Sequence, residues 1–72
     1  MKELDLHGVR HEHVELQVEN FLLWYCNGSP VKVITGNSPF MRAAVEKIAQ
    51  KHGFRVSVEN HYNLGSLIVS DL

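Results

Sequence analysis

Val31-Lys32-Val33-Ile34-Thr35-Gly36-Asn37-Ser38-Pro39-Phe40, VKVITGNSPF, changes its structural character within a few residues. Val31 to Thr35 is dominated by β-branched residues, which suit a strand. Gly36-Asn37-Ser38-Pro39 reads as a turn. Ser38 followed by Pro39 has the order of a helix N-cap and first helical position, because a hydroxyl accepts from a free backbone N–H and proline needs no N–H partner there. The spacing then predicts a helix from Pro39 to about His52, with Met41, Ala44, Val45 and Ile48 on its core stripe and Gly53 at its end. A strand that passes through a short turn into a helix points to an α/β fold.

Working outward, the elements on both sides repeat this alternation. Asn27-Gly28-Ser29-Pro30 stops an earlier helix, Glu12 to about Cys26, since glycine supplies a left-handed cap and proline cannot continue. Val14, Val18, Phe21, Leu22 and Tyr25 form the core stripe of that helix. Gly8-Val9-Arg10-His11 reads as a loop, and Lys2 to Leu6 as the first strand. On the other side, Phe54 to Glu59 and Ser66 to Ser70 are strands joined by the polar loop Asn60–Gly65. The order is βαβαββ. Strand-helix-strand units favour parallel pairing with right-handed crossovers. The expected fold is therefore a two-layer α/β sandwich, a four-stranded mixed sheet with two helices on one face.

The 72 residues suffice for a single domain with a small core. Seven Lys plus Arg against eight Asp plus Glu leave a formal charge of −1. That argues against strong non-specific binding to nucleic acid, which depends on neutralising phosphates, but allows a local basic patch. The single cysteine, Cys26, excludes an intrachain disulfide and suits a reducing, cytoplasmic setting; it reads as a small buried filler. The start has no signal-peptide pattern, and no apolar run is long enough for a membrane span.

The first strand ends in Leu4-Asp5-Leu6-His7-Gly8, LDLHG. Alternation sends Leu4 and Leu6 to one face and Asp5 and His7 to the other. In open α/β sheets, ligands gather at the carboxyl ends of parallel strands, and a helix N-terminus there offers free N–H groups to an anion. Asp5, His7, Gly8, Thr35, Gly36, Asn37 and Ser38 are thus candidates to converge on one phosphate. The alternative is structural: an Asp beside a loop often bonds the backbone N–H groups of that loop, and His7 has the same option.

These residues also carry a family resemblance. The chain resembles the Smr (small MutS-related) domain, whose first signature is a strand ending L-D-L-H-G, matched by Leu4 to Gly8. Its second signature is a strand ending H-G or T-G, then a basic residue, a second glycine and a helix; Val33-Ile34-Thr35-Gly36-Asn37-Ser38 is the corresponding stretch. Asn63 to Val69, NLGSLIV, is similar to the family's glycine-preceded closing strand. Asn37 stands where the family has Lys or Arg, and Ser38 where it has glycine. Arg42, one turn into the helix, and Arg10 are candidate replacement charges. The resemblance implies a fold like the C-terminal domain of translation initiation factor three. It also implies nucleic-acid binding, with endonuclease activity on RNA or nicked DNA in several members.

In a nuclease, His7 would move a proton and Asp5 would orient it or hold a water, although along a strand the two lie about 6.5–7 Å apart. On RNA the 2′-hydroxyl is available as nucleophile, so no metal or other cofactor is called for and RNA ranks ahead of DNA. The TGNS backbone and Arg42 would offset charge at phosphorus. The rival is a non-catalytic module that binds nucleic acid, a ribosomal component or another protein. Leu16 and Leu23, opposite the core stripe, with Trp24 at its boundary, mark a candidate homodimer face. His11 and His13 near a helix start diverge, so they read as solvated residues and not as a metal site. His52 suits a helix C-terminus, where the dipole favours a cation. His61 and Tyr62 offer a base-stacking loop or an ordinary connection.

Overall fold

Ser38 caps the second helix as its position implies: its Oγ accepts a hydrogen bond from the Met41 N–H at 3.2 Å, with Pro39 next in line. The computed structural model describes residues 1–59 and 65–71. Its elements are β1 (Glu3–Asp5), α1 (His11–Tyr25), β2 (Val31–Ile34), α2 (Pro39–Lys51), β3 (Arg55–Val58) and β4 (Ser66–Ser70). The two-layer α/β sandwich read from the sequence is the observed architecture. The candidate stacking residues His61 and Tyr62 lie outside the described residues.

The sheet order is β1-β2-β4-β3. β1 runs parallel to β2, with Leu4 opposite Val33 and Asp5 opposite Ile34. β4 lies between β2 and β3, antiparallel to both. Alternation along the strands sends Leu6, Val31, Val33, Leu67 and Val69 into one core with Val14, Val18, Phe21 and Leu22 of α1 and Met41, Ala44, Val45, Ile48 and Ala49 of α2. Glu3, Asp5, Lys32, Ile34 and Ile68 take the opposite face. There Lys32 Nζ reaches Glu59 Oε2 at 2.9 Å, and that hydrogen bond holds the ammonium above its ordinary pKa of 10.5.

One member of the α1 stripe is corrected. Tyr25 is 45 % exposed, with the Lys2 ammonium 5.0 Å from its ring centre. It is the last helical residue, and the chain turns there so that Cys26 takes the buried place against Val69. Burial, with Asp71 nearby, raises the Cys26 thiol above its ordinary value.

The helices run in the same direction, side by side. Lys47 pairs with Glu15 at 3.2 Å and Lys51 with Glu19 at 3.0 Å, each partner one turn further along its own helix. His52, the α2 C-cap, places Nε2 2.7 Å from the same Glu19 carboxylate. Because β1 and β2 are parallel, both helices also start at one edge, and that edge carries the candidate site.

Candidate nucleic-acid interface

The first loop begins one residue beyond β1. Leu6 is fully buried, and its N–H donates to the Ile34 carbonyl at 2.9 Å, so it continues the pairing with β2. Val9 N–H then closes a turn on the Leu6 carbonyl at 3.0 Å, and Gly8 occupies the left-handed region at φ +80°. Asp5 Oδ1 accepts the His7 backbone N–H at 2.8 Å. The structural option for Asp5 is therefore realised: its carboxylate holds the loop backbone. The His7 imidazole is exposed and makes no hydrogen bond or ion pair among the described residues. Asp5 and His7 share an edge, joined through the backbone of His7 and not through its ring.

The second loop is tied down more fully. Thr35 is only 4 % exposed, and its Oγ1 lies 3.1 Å from the Gly36 carbonyl and 3.4 Å from that of Gly65. The N–H groups of Thr35 and Gly36 both donate to the Gly65 carbonyl, at 2.8 and 3.0 Å. Gly36 is left-handed at φ +61°. The Ser38 hydroxyl is occupied by Met41, and Pro39 has no N–H. Of the donors in the TGNS stretch, the Asn37 and Ser38 N–H groups and the exposed Asn37 side-chain amide lack partners among the described residues.

The start of α1 differs. Arg10 stands at its N-cap with no side-chain cap. His13 N–H bonds the Arg10 carbonyl at 2.9 Å, which leaves the His11 and Glu12 N–H groups without partners among the described residues. The anion-attracting helix end is thus more open in the first loop than in the second, where the sequence pattern put it. Arg10 itself is largely exposed, 3.7 Å from Glu12, a weak surface pair.

Arg42 sits in the first turn of α2, half-buried. Its Nε is buried without a hydrogen-bond partner, and it joins no ion pair among the described residues. Arg10, Lys32, Lys47 and Lys51 all have carboxylate partners. An unpaired buried donor costs about 1–3 kcal/mol; because Nε is buried, an anion would meet the terminal nitrogens of this half-buried guanidinium, which make no hydrogen bond or ion pair among the described residues.

The two loops are drawn together by a contact that the sequence reading missed. His11 and Phe40, near the starts of α1 and α2, stack with ring centres 4.0 Å apart and planes 10° from parallel. The available signal was Phe40 itself, a large aromatic off the Met41–Ala44–Val45–Ile48 stripe. It remains 43 % exposed in the stack.

Comparison with protein-family models, curated proteins and solved structures produced no match. Among the described residues, no group of three or more His, Cys, Asp or Glu is arranged to hold a metal ion. No helix there is long and apolar enough to cross a membrane.

Proposed function

We propose that this edge binds nucleic-acid phosphate, in the manner that the Smr-like LDLHG and TG motifs imply, and that His7 cleaves bound RNA. The observation that carries the reading is the unpaired Arg42 guanidinium on the helix that the second loop feeds. The open N-terminus of α1, beside it across the His11–Phe40 stack, adds to it. A phosphate on this edge would meet the terminal nitrogens of Arg42 and the N–H groups of His11 and Glu12.

In the proposed reaction the His7 imidazole accepts the proton of a 2′-hydroxyl. The 2′-oxygen forms a bond to phosphorus as the bond to the 5′-oxygen breaks. The 5′-oxygen takes a proton from solvent, leaving a 2′,3′-cyclic phosphate and a 5′-hydroxyl. Arg42 offsets the charge that gathers on the phosphoryl oxygens. Asp5 is a positioning residue, because it fixes the backbone of His7 and does not touch the ring. General-base help of this kind is worth roughly 100- to 10,000-fold. A cytoplasmic setting goes with this reading.

The test is cleavage of end-labelled structured RNA and nicked duplex DNA, with and without EDTA, by wild type and by Asp5→Ala/His7→Ala. EDTA-resistant cutting of RNA that disappears in the folded double variant is the expected result. Binding without cutting removes the catalytic step and leaves phosphate recognition. Absence of both defeats the nucleic-acid reading.

A second reading has its own observation. Leu16, Leu23 and Trp24 on the outer side of α1 are 62, 51 and 76 % exposed. A homodimer through that surface would be broken by Leu23→Glu in sedimentation equilibrium and left intact by His7→Ala.

A further inference from the structure

We propose that the His11–Phe40 stack is a platform for an unpaired nucleobase, so that the preferred ligand of this edge is single-stranded or looped RNA and not a continuous duplex. The inference rests on the phosphate-binding reading and adds the substrate class.

Three observations carry it. First, the core does not need Phe40: the buried cluster is complete without it, and the ring remains 43 % exposed after stacking. Second, the two rings already lie face to face, with centres 4.0 Å apart and planes 10° from parallel, so that a third plane can extend the column. Each ring holds the other, so a third plane added to the column meets a surface that is already ordered. Third, cations stand near the platform in sequence: Arg10 immediately precedes His11, and Arg42 lies in the same first turn of α2 as Phe40, on another side of the helix. Single-strand sites combine aromatic planes for bases with cations for the backbone. In a duplex the base faces are covered by their neighbours, and only edges and backbone are offered to a protein.

The column would run from His11 through Phe40 to the base, with the adjoining phosphates left to Arg10 and Arg42, the cations of the two helix starts. A purely structural stack, one that merely pins the two helix starts, would affect melting but not respond to what a bound strand carries.

The experiment uses the full chain and a short single-stranded RNA in three forms: unmodified, with abasic sites, and with 2-aminopurine as fluorescent base. Wild type should bind the unmodified strand more tightly than the abasic one and quench 2-aminopurine on binding. Phe40→Ala should weaken binding of the unmodified strand by about 5- to 150-fold, the range expected for loss of one base stack, abolish the quench, and barely alter the abasic strand. Phe40→Tyr keeps an aromatic plane and should retain both properties, which separates stacking from any folding defect of Phe40→Ala. Equal affinity for unmodified and abasic strands, or an unchanged quench in Phe40→Ala, overturns the platform. If Arg42→Ala still weakens both strands in that case, the phosphate reading survives alone. No binding of any strand by wild type overturns both.

Discussion

The two loops at the edge where both helices start do the same topological job by different means. Each carries a parallel strand into a helix, each turns through a left-handed glycine, and each opens on a core-facing residue, Leu6 in one and Thr35 in the other. The second loop ties Thr35 and Gly36 to Gly65 and Ser38 to Met41, leaving the Asn37 side chain and the Asn37 and Ser38 N–H groups without partners among the described residues. The first commits the Asp5 carboxylate to the His7 N–H but leaves the imidazole and the first N–H groups of α1 without partners among the described residues. A loop whose buried residue and first glycine are both clamped to another strand's lead-in is a support. A loop with an exposed titratable ring and unbonded N–H groups is equipped to meet a ligand. The first loop also has five residues, Leu6 to Arg10, against four, Thr35 to Ser38. It places His7 between its buried residue and its glycine, whereas Gly36 follows Thr35 directly.

Neighbouring residues of the first loop should therefore respond in opposite ways, and this is the largest expected contrast. Leu6→Ala empties a fully buried site and should cost about 2–5 kcal/mol, enough to unfold much of so small a domain in thermal melts. His7→Ala should leave the melting curve in place while removing the proposed cleavage. A His7→Ala variant that melts as early as Leu6→Ala would break the distinction between support and equipment.

The glycines test what the loops share. A Cβ at Gly8 or Gly36 meets nothing within 4 Å, so alanine there carries only the backbone penalty of the left-handed region. Each substitution should cost about 1–2 kcal/mol, read from urea denaturation, and the two values should agree.

Caps sharpen the comparison at a smaller scale. Ser38→Ala should cost about 1 kcal/mol by freeing the Met41 N–H. Arg10→Ser supplies the cap that α1 lacks and should stabilise by roughly 0.5–1 kcal/mol while weakening RNA binding. A stabilised Arg10→Ser with undiminished RNA affinity would detach the open helix start from ligand binding.

The far end of the helix pair offers the mildest test. The hydrogen bonds of His52 and then Lys51 hold the Glu19 carboxyl below its ordinary 4.5. A depressed carboxyl contributes stability that is present above its unfolded pKa and is lost as pH falls through the lower folded value. Glu19→Gln should flatten the acid limb of a stability–pH profile below about pH 4.5 and leave the first-loop chemistry unaffected.

Much of this architecture was legible in local spacing. The 3.6-residue stripes of α1 and α2, the Ser-Pro start of α2 and the alternation of the strands each depend on near neighbours, so their bounds follow from the chain to within a residue or two. Tyr25 failed as a core residue because a helix end, not the wheel, decides where the last turn points. The LDLHG and TG motifs also marked the edge where the loops meet. They did not show how the polar groups would be shared, because Asp5 had two partners within reach and only the folded loop selects the His7 N–H.

What local order settled was the identity of the elements, their caps and the faces they would bury, all consequences of backbone geometry and of apolar side chains leaving water. What the tertiary structure decided was long-range: β4 inserted between β2 and β3, Gly65 clamping the second loop, Glu19 gathering Lys51 and His52, and His11 meeting Phe40. Apart from the β3–β4 pairing, each of those contacts joins residues about thirty positions apart or more. Periodicity carries no information at that range, and the partners become neighbours only once the core has closed around them.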